Sequence, residues 1–456
     1  MITVKNKKVV VLGAARSGLA VAELLTEKEA DVFVSDIAPE ESKKDEIAIL
    51  KKKQIQYEFG KHSNKIYNSD LVVISPGVFL TAEKIELYQK LKIPVYSELE
   101  VSSWFCKSSI IAITGSNGKT TTVSLLGDMI KNEMPQSIVA GNIGIPFSSK
   151  INQSSEKAWA IIEVSSFQLE MIDTFHPQIA IILNLSPNHL DRYNSYEDYA
   201  DAKIRVIKNL THNDYLIYNR DNSLLKQKIK NWPAKKLGFS KSNLKADAYI
   251  KENQLYLFNK KLICCDDIVL QGTHNYMNAM AAALGAYCTG ITSFSINKAL
   301  TNFKGVEHRL EYIEQINGVD FINDSKATTI ESLEVALTSF SRPVILIAGG
   351  KDKGSDYSRI NKVLKDKTKA IILIGEAQEK MASSWDSLHI PIFMQNSLKD
   401  AVEKACAFAT YNDIVLLSPA CASFDMFRDF EDRGRKFKQL VFQLKNSVKE
   451  YEKTEK

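Results

Sequence analysis

The run Ile110-Ile-Ala-Ile-Thr-Gly-Ser-Asn-Gly-Lys-Thr-Thr-Thr122 constrains this chain more than any other stretch. An apolar strand enters a turn bracketed by Gly115 and Gly118 and closed by Lys119 and Thr120, and Val123 to Ile130 then carries the apolar spacing of a helix. Strand, glycine turn and helix in this order predict a phosphate-binding loop. The backbone across Gly115, Ser116, Asn117 and Gly118 turns its N–H groups around phosphate oxygens, and Lys119 supplies a cation. The Thr120 hydroxyl can ligate Mg2+, and the helix start at Thr121 faces the same anion. Two residues separate the glycines, where the standard loop has four. Such a unit belongs to an α/β fold.

A chain of 456 residues has room for about three domains. Lys and Arg exceed Asp and Glu by five, and the excess is spread along the chain, so no basic arm for nucleic acid is expected. Six cysteines show neither paired zinc spacing nor the density of a disulfide framework, which predicts reduced thiols in a cytoplasmic protein. Val9 to Ala15 is apolar but short and is followed by Arg16, and no later run approaches bilayer length, so neither export nor a membrane partner is expected.

Lys8 to Leu12 reads as a buried strand turned by Gly13-Ala-Ala-Arg-Ser-Gly18 into a helix, with Asp31 to Asp36 as the next strand. Ala15 stands where a dinucleotide fingerprint wants its middle glycine, so NAD is disfavoured. A different nucleotide diphosphate over the helix start, with Asp36 at the second strand's tip, and a purely structural turn both remain open. Ser75 and Gly77 close a further strand, and the first domain is placed at residues 1–105. The second, 106–304, has expected strands at 160–164, 179–185 and 214–219 and a hairpin over 246–262. Polar residues gather where its strands stop: Glu163 with Ser165 and Ser166, and His189 with Asp191. Asn275 and Asn278 share one face of a helix start, fit either to pair with adenine or to cap the helix. The third domain, 305–456, repeats the parallel α/β pattern with strands at 320–323, 343–349, 370–375, 391–394 and 413–418. Its strand ends carry Asp324 to Thr329, Lys351 to Lys353 and Ser418 to Ser423, a cationic and hydroxylated rim suited to a small anionic substrate.

Taken in order, Thr114-Gly-Ser-Asn-Gly-Lys-Thr120, Gly141-Asn-Ile-Gly144, Glu163-Val-Ser-Ser-Phe-Gln168, Asn188-His-Leu-Asp191, the helix bearing Lys203, His274-Asn-Tyr-Met-Asn278, His308-Arg309 and Asn323-Asp-Ser-Lys326 resemble the signature of the Mur ligases over nearly the whole chain. Ser325-Lys-Ala-Thr328, Gly349-Gly350 with Lys353, and Ser418-Pro-Ala-Cys-Ala-Ser423 resemble the D-glutamate-adding branch. The resemblance implies three domains: a Rossmann-like N-terminal one, a central P-loop ATPase-type one and a Rossmann-like C-terminal one. The implied activity is an ATP-dependent ligase of peptidoglycan precursor synthesis, joining D-glutamate to UDP-N-acetylmuramoyl-L-alanine through an acyl phosphate and working as a monomer.

The same resemblance implies residue roles. Lys119, His189 and Lys203 would be catalytic, and Thr120, Glu163, His189 and Lys203 would hold two Mg2+ ions, Lys203 as a carbamate. Asn275, Asn278, Arg309 and Asp324 would join the loop around ATP. Arg16, Ser17, Asp36, Ser75, Gly77, Asn142 and His189 would hold the UDP-sugar, and Thr328, Lys353, Ser423 and Phe430 the amino acid. Another Mur ligase, or a folylpolyglutamate synthase with a different acceptor, is the alternative. An NAD oxidoreductase leaves the phosphate loop unexplained, and a P-loop binding module has no use for the third rim.

Overall fold

The computed structural model describes residues 3–454 except 79, 80, 143, 188–191, 304 and 353, and leaves aside the side chains of 82, 331 and 448–454. The chain divides into two compact units, residues 1–304 and 305–456.

The first unit opens with a five-stranded parallel sheet: β1 (Lys8–Leu12), β2 (Asp31–Asp36), β3 (Gln56–Phe59), β4 (Leu71–Ile74) and β5 (Val95–Ser97), in the order β3-β2-β1-β4-β5. Its helices are α1 (Arg16–Glu27), α2 (Lys44–Lys52), α3 (Ala82–Lys90) and α4 (Glu98–Ser103). The continuous apolar run of β1 is explained by burial on both faces: Val9 and Val11 pack with Val21 and Leu25 of α1, while Val10 and Leu12 pack with Tyr88 of α3. Strand order reverses between β1 and β4, so the crevice of this sheet opens beside the β1–α1 turn.

The second sheet holds β6 (Ser109–Thr114), β7 (Ile138–Gly141), β8 (Trp159–Glu163), β9 (Ile179–Ile182), β10 (Tyr215–Asn219), β11 (Lys235–Ser240), β12 (Ala248–Lys251), β13 (Gln254–Leu257) and β14 (Lys260–Cys264). Between its strands run α5 (Lys119–Lys131), α6 (Ser166–Glu170), α7 (Tyr196–Ile204) and α8 (Ser223–Ile229), followed by α9 (Thr273–Cys288) and α10 (Ser293–Asn302). The phosphate-loop strand β6 is central, flanked in parallel by β8 and β9. The expected hairpin is present as β12 and β13, turned by Glu252 and Asn253, both at positive φ (49° and 58°), and β14 extends it by one more antiparallel strand. Strands β7 and β11 had no counterpart in the sequence reading, and the strand expected over 179–185 stops at Ile182.

Two buried carboxylates on α4 tie the first sheet to the second. Glu98 accepts the Ser148 N–H at 2.7 Å, and Glu100 accepts the N–H groups of Asp173, Thr174 and Phe175 at 2.8–2.9 Å.

The second unit has β15 (Glu311–Ile316), β16 (Val319–Asn323), β17 (Val344–Gly349), β18 (Thr368–Ile374), β19 (Ile392–Gln395) and β20 (Ile414–Leu417), ordered β15-β16-β20-β17-β18-β19. Helices α11 (Ile330–Thr338), α12 (Asn361–Lys367), α13 (Gln378–Trp385), α14 (Leu398–Phe408) and α15 (Phe430–Thr454) accompany it. All pairings are parallel except β15 with β16, an edge strand absent from the sequence reading. Cores lie on both faces of this sheet. Among the described residues, no helix is long and apolar enough to cross a membrane.

Candidate active site

The loop between β6 and α5 is shaped by two glycines and clamped by the chain leaving β9. Gly115 and Gly118 sit at φ 154° and 82°, and a Cβ at Gly118 would run into Asn278 Oδ1. Two of the loop's N–H groups do not point inward as expected: Ser116 N donates to Asn184 O at 3.0 Å and Asn117 N to Asn184 Oδ1 at 2.9 Å. The Ser116 hydroxyl is held by the Ser186 backbone, with both bonds at 3.0 Å, and by Tyr199 OH at 3.2 Å. The N–H groups suited to an anion are instead those of the first turn of α5, which have no intrahelical acceptor. Lys119 Nζ lies back over the loop, donating to Gly115 O at 2.8 Å and Ser116 O at 2.9 Å. Thr120 and Thr121 are buried in that turn.

Glu163 ends β8 in register beside Ile113 of β6, which brings its buried carboxylate to the loop. Oε1 accepts Asn142 Nδ2 at 3.1 Å, while Oε2 is buried without a hydrogen-bond partner. Asn142 also donates its N–H to Glu163 O at 3.0 Å, a close approach that needs Gly141 at φ 104°, since a Cβ there would strike the Glu163 carbonyl. Lys203, far from being a solvated helix lysine, is buried on α7 with Nζ 4.7 Å from the Tyr199 ring. Burial, helped by the positive charge of Lys119 and opposed by Glu163, holds its amine well below the ordinary lysine value. Lys119, Glu163 and Lys203 thus form one electrostatic cluster. His189 lies outside the described residues. Among those described, no three His, Cys, Asp or Glu side chains form a group able to hold a metal.

Asn278 is buried against Gly118, and Asn275 sits one turn earlier with its Nδ2 bonded to Gln271 O at 2.9 Å. At the first sheet, Arg16 is exposed and Ser17 half-buried at the start of α1, and Gly77 is exposed in open space. Asp36 and Ser75 stand where expected but already have structural duties. The Asp36 carboxylate accepts Ala14 N at 2.6 Å and Ala38 N at 2.8 Å, and the buried Ser75 hydroxyl donates to Gly13 O at 3.1 Å.

In the second unit, Asp324 follows β16 and is buried, accepting Ser418 Oγ at 2.8 Å and Leu310 N at 3.2 Å. Burial lifts its carboxyl to about 7 against the opposing pull of Arg309. Thr328 is half-buried, Ser423 is buried, and Phe430 opens α15 with its ring edge-on to His308 at 6.5 Å. Lys353 lies outside the described residues. The organising residue on this rim is one the sequence reading missed. Arg433, wholly buried in α15, donates to Ser325 Oγ (3.0 Å) and O (2.9 Å), to Cys421 O (3.2 Å) and to Ala422 O (3.4 Å). Burial draws its guanidinium down to about 10. It joins the Ser325 turn to the Cys421 loop; in sequence it is one more charge in a charged helix.

Residues 8–83 match the MurD N-terminal domain, 113–286 the Mur ligase middle domain and 308–421 the Mur ligase glutamate ligase domain. A UDP-N-acetylmuramoylalanine–D-glutamate ligase of Chloroherpeton thalassium is 42% identical over 464 residues, covering 97% of this chain and 99% of that one. The chain belongs to the Mur ligase family. A UDP-N-acetylmuramoylalanine–D-glutamate ligase of Koribacter versatilis is 40% identical over 98% of this chain and 99% of its own length. Among solved Mur ligases, MurF of Acinetobacter baumannii superposes with a TM-score of 0.62 at 14% identity, covering 94% of this chain and 93% of that one. MurC of Thermotoga maritima superposes at 0.61 and 19% identity over 97% and 100%. These superpositions establish the three-domain Mur ligase fold.

Proposed function

We infer that this Mur ligase joins D-glutamate to UDP-N-acetylmuramoyl-L-alanine at the expense of ATP, a step of peptidoglycan precursor synthesis. The observation that carries the reading is identity near 40% along almost the full length of ligases so named.

A carboxylate does not react with an amine in water. ATP converts the L-alanyl carboxylate to an acyl phosphate, the D-glutamate amine attacks its carbonyl carbon, and the tetrahedral intermediate collapses to amide and phosphate. The protein's work is positioning and charge neutralisation. On our reading, residues 1–105 bind the UDP-sugar, 106–304 the ATP and 305–456 the amino acid, within a single chain in the cytoplasm. Lys119 leaves the loop carbonyls for the β- and γ-phosphates, and Gly115 to Thr121 wrap them. Asn275, Asn278, Arg309 and Asp324 receive the rest of ATP. Arg16, Ser17, Asp36, Ser75, Gly77 and Asn142 hold the UDP-sugar together with His189. Thr328, Ser423 and Phe430, with Lys353, hold D-glutamate.

The orphaned, buried Glu163 Oε2 and the buried Thr120 hydroxyl are oxygen donors of the kind Mg2+ takes, and His189 and Lys203 are assigned to a second ion. Held there, Mg2+ would supply positive charge to offset the charge of the transferring phosphoryl group. Burial favours the neutral form of the Lys203 amine, the form that adds to CO2: a C–N bond forms, one proton leaves, and the product is an anionic carbamate, an oxygen donor in place of an amine. Omitting CO2 is expected to lower turnover and bicarbonate to restore it. Equal rates with and without CO2 would remove the carbamate.

The deciding experiment is phosphate release from ATP with Mg2+ and UDP-N-acetylmuramoyl-L-alanine, comparing D-glutamate with L-glutamate, L-lysine, meso-diaminopimelate and a folate acceptor. Release that requires D-glutamate and vanishes in Lys119→Ala is expected. Release with another acceptor instead would overturn the assignment of the amino acid.

A further inference from the structure

The carboxyl ends of β2 and β3 carry a hydrogen-bonded trio that the reaction leaves unused. Ser35 is wholly buried, and its Oγ lies 2.7 Å from Glu58 Oε1 and 2.7 Å from His62 Nδ1. Glu58 also accepts the Ser63 N–H at 2.9 Å. Burial pushes the Glu58 carboxyl up, but the bonds from Ser63 and Ser35 and the nearby His62 outweigh it, so the group stands below its ordinary value and is an anion at neutral pH.

That anion fixes the tautomer of His62. A carboxylate has no proton to give, so the single Ser35 hydroxyl proton goes to Oε1, and Oγ meets Nδ1 with a lone pair. The other acceptor in reach, Lys61 O at 3.4 Å, would leave Nδ1 the donor all the same. Burial, helped by Lys84 and opposed by Asp36 and Glu58, holds the ring below the ordinary histidine value, so it is neutral at pH 7. Its proton is on Nδ1, and Nε2 is an acceptor without a partner among the described residues, on a partly exposed side chain.

Position decides what that acceptor meets. In the proposed function, on which this argument rests, Arg16 and Ser17 at the β1–α1 turn hold the UDP-sugar, and a helix N-terminus there suits its diphosphate. β2 with Asp36 comes next and β3 lies a further ~4.8 Å out. A nucleotide laid outward from the turn over β2 would bring its base to the end of β3. Uracil carries a hydrogen on N3, whereas cytosine presents a lone pair there.

We propose that His62 Nε2 accepts the N3–H of the uracil of the UDP-sugar and thereby selects uridine over cytidine nucleotides. The test is calorimetric binding of UDP, CDP and 3-methyl-UDP to the full-length wild type, His62→Asn and His62→Gln. Asn keeps a donor near Nδ1 for Ser35 and loses the distal acceptor, and Gln places an acceptor near the position of Nε2. Wild type is expected to prefer UDP over both analogues by about tenfold or more, the worth of one buried hydrogen bond. His62→Asn should unfold at the wild-type temperature and lose that preference through weaker UDP binding alone, and His62→Gln should recover part of it. A parallel loss of UDP and CDP binding in His62→Asn, or an unchanged ratio, would overturn the proposal. Wild-type protein that binds neither UDP nor CDP, yet turns over with D-glutamate and a different nucleotide sugar, would overturn the uridine reading and the proposal with it.

Discussion

Arg433 and Asp324 face each other across one rim, and their burial turns ordinary surface chemistry into structural commitments. Replacing Arg433 with Met keeps the volume of the stem but strands Ser325, Cys421 and Ala422 acceptors in the interior. We expect a loss of about 3 kcal/mol or more in denaturant unfolding of residues 305–456, and a raised KM for D-glutamate. Lysine should not rescue it, because one ammonium cannot span the three carbonyls. Asp324 predicts a pH effect. Its carboxyl stands at about 7 when folded, against an ordinary 3.8, so the folded state holds the proton more tightly. The associated stability is complete below pH 4 and is lost as pH rises through 7, by up to about 4 kcal/mol. Thermal unfolding from pH 4 to 8 should show this slope in wild type and a flatter one in Asp324→Asn. The two residues also divide what a sequence can tell. Asp324 follows an apolar strand and was visible as a strand-end carboxylate. Arg433 sits among Glu431, Asp432 and Lys436, and nothing in that pattern says it turns inward.

At the scale of elements, α5 and α9 meet through Gly118 and Asn278. Gly118→Ala imposes both a left-handed backbone and a collision with Asn278 Oδ1, and we expect kcat/KM for ATP to fall at least about tenfold. Asn278 is itself assigned to ATP, so Asn278→Ala alone is the reference: in its background Gly118→Ala meets no collision but keeps the backbone strain, and the double variant should bind nucleotide more weakly than Asn278→Ala; equal binding would mean the backbone is unstrained. The strands that the sequence revealed are the buried apolar ones, where composition and burial agree. Those it concealed have physical reasons. β11 is interrupted by Gly238 and led by two lysines, and β7 is four residues long and ends in Gly141. β15 was legible and went unread: Asn317-Gly318, at φ 50° and 77°, is a strong hairpin signal standing between β15 and β16. One strand reading, 179–185, also failed in detail, since the segment beyond Ile182 leaves the sheet to hold Ser116 and Asn117.

For the whole molecule, the α/β class and its three sheets follow from repeated apolar strands that end in polar clusters, a pattern that survives errors in individual boundaries. The two compact units have separate cores. Scanning calorimetry should therefore resolve two transitions, and Leu346→Ala, at a fully buried position of β17, should lower one of them by several degrees and leave the other in place, with a cost of about 2–5 kcal/mol. A single cooperative transition shifted as a whole would show that the units melt as one. The contact between positions 118 and 278 has a further consequence, for the paths open to mutation. While Asn278 remains, any side chain at 118 meets it, and a change at 278 alone gains nothing at 118. Position 118 is thus doubly closed, by the neighbour at 278 and by its own left-handed backbone, so a compound that reads this turn of the loop confronts a surface with few single-step routes of escape.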